Sequence, residues 1–496
     1  MPIPARLAFL LAPLLPVAAI LAACSQEASG PVIVSVIGTP PQLAKPLSAL
    51  PAPAAKLMIE ATAQGLVAFD ARGEILPALA QRWIVEDEGR SYIFRLRRAF
   101  WANGARVTAP DVARLLQRRI DILRRLDPHG PLDMVETVVA MTGEVIEIRL
   151  AAARPYLLQM LAQPQMGIVS RDGGTGPYRA APHVGLLHLT PVDTPRGEGA
   201  DERDAHTPPW YNRVLRAERA ALAIVRFRDG YAALVLGGRY NDLPLLTAAG
   251  IDRNAVRIDP VQGLLGLAVM NDGAELLKDA AIRQAVSMTI DRTELNTVFP
   301  LGGWATTDQL LPQQLDLPAP AARPAWAELP IEERRIQARA AVDHWRTEHG
   351  DPPAIRIALP DGAGSTLLFG ILAQHLRAIG LTAERVDRTA RRIDLQLIDE
   401  VAAYDSALWY LGRVGCARKI QCSSEAEARM QAAGLATSAE DRAARIAEAA
   451  ALAQDHGGYI PLGAPVRWSL VSRRLTGFMP SPRARHPLNH LFSNTN

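Results

Sequence analysis

One long apolar stretch, LAFLLAPLLPVAAILAACSQ at residues 7–26, divides this 496-residue chain into a short head and a body that folds away from the bilayer. The stretch carries Pro13 and Pro16, follows a head holding Arg6, and closes on Leu21-Ala22-Ala23-Cys24. A bilayer-spanning helix needs about 20 apolar residues without such interruptions, so the stretch reads as the hydrophobic part of an export signal. No later stretch is long and apolar enough to cross a membrane. The body is 49% hydrophobic and 21% charged by the composition of the whole chain, ordinary values for a globular protein. After the signal there is room for about three units of roughly 150 residues. A net charge of +3, with arginines scattered and no run of them interleaved with aromatics, argues against a nucleic-acid partner.

Small residues at Ala22 and Ala23 open the backbone to a peptidase, and a thiol follows at once. Leu-Ala-Ala-Cys resembles the lipobox of bacterial lipoproteins. The resemblance implies that Cys24 receives a diacylglycerol, becomes the first residue of the mature chain and is acylated on its new amine, several acyl chains holding far more firmly than one. An ordinary secretory signal with an incidental cysteine is the alternative. With Cys24 lipidated, the remaining thiols are Cys416 and Cys422, and two cysteines in an exported chain most often pair. A zinc site there would need two further ligands, and no histidine is near in sequence. Lysine is scarce: Lys45, Lys56, Lys278 and Lys419 are the whole set, which leaves few candidates for phosphate-binding or Schiff-base lysines.

Local signals outline the body. The β-branched run Val32 to Ile37, stopped by Gly38-Thr39-Pro40-Pro41, reads as a buried strand. Apolar spacing from Lys56 to Val67 is helical. Asp70-Ala71-Arg72-Gly73 and Asp87-Glu88-Gly89 are turns, Ser91 to Arg97 alternates like a strand with one wet face, and Asn103-Gly104 is a hairpin-type turn. Thr108 stands as N-cap before Ala109-Pro110-Asp111, with proline just inside and an acid in the first turn. Further helices are expected over Arg283 to Arg292, over Ser365 to Ile379 ahead of Gly380, and over Glu440 to Gln454 behind Ser438.

The order of these pieces is distinctive. GLVxFD, PALA, W, YxFxLR, W-x-NG and VTAxDV within residues 65–116 resemble the family 5 extracellular solute-binding proteins, the periplasmic receptors of peptide and nickel ABC importers. Gly174-Thr175-Gly176-Pro177-Tyr178 resembles the family's GTGPY segment, a cleft- or hinge-adjacent turn where the chain returns between subdomains. LVLGGRYNDLPLL at 234–246 is similar to another family segment, with Asp242 in the acidic place. Asn271, Arg283, Ala285, Ile290, Asp291 and Arg292 fall where the family has a strand ending in Asn and an RxAxxxAIDR helix. The closing segment 438–462 is similar as well, so the likeness runs from about residue 32 to 492.

The resemblance implies an α/β fold of the cluster C type: two lobes closing on a ligand, with a subdomain inserted in lobe one. The expected division is a signal peptide at 1–23, a tether at 24–31, lobe one at 32–262 and 466–496 with its subdomain at about 42–172, and lobe two at 263–465. The implied function is that of a substrate-binding lipoprotein of an ABC importer, on the periplasmic side of a bacterial cell membrane. It would capture a peptide or similar small polar solute by hinge closure and deliver it to a permease powered by a partner ATPase. The chain is expected to be a monomer, to be held to the membrane by its lipid, and to use no cofactor, no metal and no catalytic residue. Consistent with that, the sequence has no HExxH, no Gly-x-Ser-x-Gly, and no Gly-Lys-Ser or Gly-Lys-Thr after GTGPYR, where Pro177 also removes an N–H. Asp291 and Arg292 are read as structural caps and ion pairs.

IDEVAAYDSALWYLGRVGCARKIQC at 398–422 is the stretch most suited to ligand contact. Tyr404, Trp409 and Tyr410 offer stacking area, and Asp405 and Arg413 offer charge; Asn271 joins them by its place in the family pattern. An ordinary helix or strand with surface charge explains the stretch equally well. The chain also departs from the family here. Peptide-type receptors place a carboxylate just before the tyrosine to grip a peptide's amino terminus, whereas Ala403 precedes Tyr404, with Asp399, Glu400 and Asp405 nearby. That departure motivates a second reading, a diverged lipoprotein of the same fold that acts as a sensor or assembly partner without transport.

Overall fold

The computed structural model describes residues 30–44, 51–127, 130, 132–171, 173–192, 211–313, 315, 317–321, 323–436 and 438–493. The export signal and the lipidation residue Cys24 lie outside the described residues.

The chain opens with strand β1 (Val32–Ile37) and helix α1 (Pro53–Thr62). A small antiparallel sheet follows, built from β2 (Ala80–Glu86), β3 (Ser91–Leu96), β4 (Val135–Ala140) and β5 (Val145–Leu150), with helix α2 (Ala109–Leu126) between its second and third strands. Its order is β2-β3-β5-β4. Thr108 caps α2 as its sequence suggests, its hydroxyl accepting from the Asp111 amide and donating to the Asp111 carboxylate at 2.7 Å. The buried face of α2 is Val112, Ala113, Leu116 and Ile120, at helical spacing against Phe94, Ile146 and Ile148 of the sheet.

The chain then returns to the first large sheet with β6 (Tyr178–His183), β7 (Leu186–Pro191), β8 (Arg213–Glu218), β9 (Leu234–Arg239) and β10 (Val256–Ile258). It crosses to a second large sheet, β11 (Gly263–Val269), β12 (Ile355–Ala358), β13 (Ala383–Val386), β14 (Leu395–Val401) and β15 (Tyr459–Gly463). The helices of this region include α3 (Ala280–Thr289), α4 (Arg292–Val298), α5 (Ile331–His349), α6 (Ala363–Ala378), α7 (Ala407–Arg413) and α8 (Ala439–His456). The chain crosses back into β16 (Arg467–Val471) of the first sheet.

The first sheet runs β6-β7-β8-β1-β9-β16-β10 and the second β13-β12-β14-β11-β15. In the first, β1 is parallel to both β8 and β9. That central position explains the β-branched run VIVSVI: Val32, Val34 and Val36 are buried, and so is Ser35, whose hydroxyl donates to Glu218. The two sheets are joined by the backbone at 259–262 and 464–466, and these two segments hydrogen-bond each other's ends, the Asp259 amide donating to the Arg467 carbonyl at 3.0 Å.

One expected helix is broken. Instead of continuing from Arg283 to Arg292, α3 stops at Thr289, and Asp291 starts α4 by accepting from the Thr293 amide at 3.0 Å. The break lets the buried guanidinium of Arg292 donate to the carbonyls of Thr307, Pro461, Ser287 and Ile290. Arg283 works similarly on the carbonyls of Leu277, Lys278 and His456. Both arginines hold backbone rather than carboxylates. Cys416 and Cys422 form a disulfide. Its loop pairs with the end of β11: Gln421 donates to the Val269 carbonyl at 2.8 Å, and the Asn271 amide donates to the Lys419 carbonyl at 2.9 Å.

Candidate functional site

A cavity of about 430 Å³ lies where the two large sheets meet. From the first sheet it takes the carboxyl ends of β1 and β9, at Val36 and at Leu236 to Arg239, together with the start of β16. Crevices at the carboxyl ends of parallel strands are where open α/β sheets bind ligands, because side chains and backbone groups fan out there without neighbouring strands to cover them. Helix α1 supplies Pro53, Lys56, Leu57 and Glu60, spaced to share one helical face. The second sheet contributes the end of β14, Asp399 to Ala403, and α7 adds Trp409 and Arg413. The terminal segment 483–486 forms the remaining wall. The volume falls within the range of about 300–1,000 Å³ usual for small-molecule sites.

Charge dominates the lining, and the acids are matched. Asp399 receives Arg467 at 2.7 Å and has Arg239 at 3.8 Å. Glu400 receives the Arg413 Nε at 2.7 Å, while the same guanidinium stands 5.9 Å over the ring of Trp409. Glu60 receives Arg485 at 3.0 Å, and Asp259 faces His486 at 3.1 Å. Burial pulls the guanidinium of Arg239 below its usual range, with Arg467 adding to the effect. Lys56 has no ion-pair or hydrogen-bond partner among the described residues. Burial, then Arg485, bring its pKa down to about 8, opposed by Glu60. Its side chain is reached by water from the cavity, yet protein surrounds it on most sides. The side chain is exposed by accessible surface while cavity walls stand around it, so its desolvation is partial and the direction of the shift is what matters.

The residues singled out from sequence are distributed unevenly around this cavity. Trp409 and Arg413 line it. Tyr404 does not: it is buried, stacked on Tyr156 of the small-sheet region with ring centroids 4.3 Å apart, and desolvation raises its pKa well above the ordinary value. Asp405 lies beside the cavity, where its carboxylate is engaged by Arg483 and accepts from Gln159 Nε2 at 3.1 Å, and its amide donates to Gln159 Oε1 at 2.8 Å. It faces a neighbouring hollow formed with Tyr156 and Arg442. Asn271 lies away from this cavity, exposed at the opposite end of β11, where its backbone serves the disulfide loop.

Gly174, Thr175 and Gly176 are also not at the crossing between the large sheets. They lie at the entry to β6, pressed on the end of α1. The Gly176 amide donates to the Thr62 carbonyl at 3.0 Å, and a Cβ on Gly174 would stand 2.3 Å from that carbonyl oxygen. Close approach to the end of α1 demands both glycines. The cleft residues that sequence reasoning passed over are Lys56, Arg239, Arg467 and Arg485. The scarcity of lysine is the one signal that pointed toward any of them.

Contacts close the cleft from both sides. Besides the Tyr156–Tyr404 stack, Arg154 donates to the Gly434 carbonyl at 3.1 Å, Arg418 pairs with Asp127 at 2.9 Å, and Arg483 donates to the Ala402 carbonyl at 3.1 Å. Each joins the first sheet or the small sheet to the region of the second.

Residues 74–186 match the family described as bacterial extracellular solute-binding proteins, family 5, middle. Among curated proteins, the chain is 39% identical over 122 residues to the Escherichia coli (strain K12) "Probable deoxycholate-binding periplasmic protein YgiS". That stretch covers 21% of this chain and 23% of YgiS, so the match spans under a quarter of the relative's length. Among solved structures, Haemophilus influenzae OppA in complex with RPPGFSPFR matches with a TM-score of 0.75 at 17% identity, over 93% of this chain and 99% of that one. The Escherichia coli murein tripeptide binding protein MppA matches at 0.75 and 17% over 93% and 98% of the chains, while its unliganded open form matches at 0.66 and 16% over 93% and 97%. These solved structures are of substrate-binding proteins, not enzymes. Residues 74–186 thus carry the family 5 match, and the chain as a whole has the fold of the solved OppA and MppA structures.

Proposed function

We propose that the protein is the substrate-binding component of an ABC importer, capturing a small polar solute or peptide between two lobes and presenting the closed form to a membrane permease with its ATPase. The lobes in this reading are 32–262 with 466–496, including a subdomain at about 42–172, and 263–465. The observation that carries the reading is the cleft itself: its walls come from both large sheets, and the backbone links those sheets at two short segments. Ligand contacts to both walls exist when the lobes are together, so a ligand favours closure by the free energy of those extra contacts. OppA and MppA, of the same fold, are a peptide complex and a murein tripeptide binding protein by name. YgiS is named for deoxycholate, an amphipathic acid. Peptides and bile acids therefore head the ligand panel.

The test is native mass spectrometry of protein from its own host, followed by thermal-shift titration with that panel. A co-purified solute, or a ligand that raises the melting temperature with its concentration, is the expected result. Protein that carries no solute and gains no stability from any compound would remove the reading. Anchoring through a lipidated Cys24 belongs to the same proposal, and intact mass before and after a Cys24→Ser change measures it. The second reading, a sensor or assembly partner without transport, draws on Asp405, whose carboxylate is already held by Arg483. Uptake of the identified solute that survives deletion of this protein would favour it.

A further inference from the structure

The cleft holds more fixed positive than negative charge, and the surplus is concentrated at one residue. Every carboxylate on its lining has a basic partner: Asp399 has Arg467, Glu400 has Arg413, Glu60 has Arg485, and Asp259 has His486. The charge of each acid is therefore matched within the protein. Lys56 is the converse case, an amine inside the cavity without an acid within salt-bridge distance among the described residues. Arg239, across from it on β9, is held by Asp399 at 3.8 Å, a loose pairing that leaves guanidinium N–H groups available, and about two-fifths of its side chain is accessible.

An isolated charge in a confined cleft is costly, and it is retained where a counter-charge arrives with the ligand. We infer that the solute carries an acidic group, a carboxylate, which sits against Lys56 and Arg239 on the first-lobe wall when the cleft is occupied. This rests on the solute-binding reading and adds the charge of the solute and the residue that selects it. Lys56 is placed for the task by the geometry of α1. Glu60, one turn on, is tied to Arg485 and so does not neutralise Lys56 itself. The three further cations facing the amine, Arg239, Arg467 and Arg485, extend the positive field along the same wall. A carboxylate entering from solvent meets this field first, while Trp409 and the Arg413 stem on the second-lobe wall offer apolar surface to the rest of the solute.

The test uses acid and amide pairs that differ in one charge: trialanine and trialanine amide, deoxycholate and its carboxamide, glutarate and glutaramide. These, and any co-purified solute, are titrated into the full-length mature protein by calorimetry and thermal shift. The expected result is that the acid of at least one pair binds about 10- to 100-fold more tightly than its amide, the range of one charge-assisted contact. In Lys56→Gln that preference disappears, and in Lys56→Arg most of it returns. Melting of the unliganded Lys56→Gln protein should stay within a few degrees of the parent, because the side chain faces the cavity. If amides bind as well as acids, or if Lys56→Gln keeps the preference, the acid-recognition inference is wrong while solute binding stands. If nothing binds and nothing co-purifies, solute binding itself is wrong and the inference goes with it.

Discussion

At the scale of single residues, the buried Arg292 and the cavity-facing Lys56 show how one desolvated cation differs from another. Arg292 has its charge spread over the carbonyls of Thr307, Pro461, Ser287 and Ile290, and burial still brings its pKa down to about 10. Replacing it with methionine leaves several buried carbonyls without donors and should cost roughly 3–5 kcal/mol in urea unfolding. Arg292→Met unfolding like the parent would show those bonds to be dispensable. Lys56 has no such neighbours, and its consequence is a pH dependence. Its pKa falls from 10.5 unfolded to about 8 folded, through burial first and Arg485 second. Between those values the unfolded chain holds a proton that the folded chain lacks, so Lys56 makes stability rise with pH across that window, and its cost is fully present below pH 8. A bound carboxylate reverses the balance by favouring the ammonium. Affinity for an acid should be highest below pH 8 and fall about 10-fold or more by pH 9.5, with proton uptake on binding. Lys56→Arg should flatten that profile, and calorimetry in buffers of different ionisation enthalpy measures both effects. Neither role is legible in the sequence. Lys56 stands out there as one of four lysines, but the residues that face it lie at 239, 467 and 485, far along the chain.

Among elements, α1 depends on the glycine turn that follows the small sheet. A Cβ on Gly176 would sit 2.3 Å from the Thr62 carbonyl carbon and 2.4 Å from the Ala63 nitrogen, both backbone atoms that cannot swing aside. Gly176→Ala should therefore push the end of α1 and lower stability by about 1–3 kcal/mol. It should also weaken ligand binding, since α1 carries Lys56 and Glu60 into the cleft; unchanged urea midpoint and affinity would separate the turn from the helix. The disulfide acts at another junction. Its short loop reduces the freedom of the unfolded chain by about 2 kcal/mol on the loop-entropy estimate, and the paired substitution of Cys416 and Cys422 by serine should cost that much. Signals confined to a few residues are readable from the amino-acid order alone. Thr108 caps α2, Ser438 caps α8, and the buried run at Val32 is β1, because each depends on neighbours within about four residues. The break between α3 and α4 is not readable in that way, since it serves contacts from Arg292 to carbonyls 15 and 169 residues away. Tyr404 illustrates the same limit: its aromatic character is plain, but its stacking on Tyr156, far earlier in the chain, is set by tertiary structure.

For the whole molecule, the question is what holds the cleft shut. On the proposed capture mechanism that task falls to the contacts joining the first sheet and the small sheet to the region of the second. They include the Tyr156–Tyr404 stack at 4.3 Å, the polar pairs already named, and a continuous hydrophobic cluster in which Leu157 and Leu161 of the small-sheet region are joined with Tyr404, Tyr410 and Leu411. An aromatic pair of this kind contributes about 0.5–1.5 kcal/mol beyond area burial. The stack is thus one contribution to closure among several, and on the proposed mechanism a ligand adds its own. Tyr156→Ala removes the stack without touching the residues that line the main cavity. It should raise the open population of unliganded protein, seen as a larger radius of gyration by small-angle X-ray scattering, and weaken apparent affinity roughly 2- to 12-fold, the factor equivalent to that energy. Saturating ligand should return the variant to the compact radius of the parent, because the ligand's own contacts to both walls remain. A variant with the parent's radius and affinity would mean that the stack is incidental to closure. A variant that stays extended under saturating ligand would mean that the two walls do not share the ligand, and the hinged-capture mechanism would have to be abandoned.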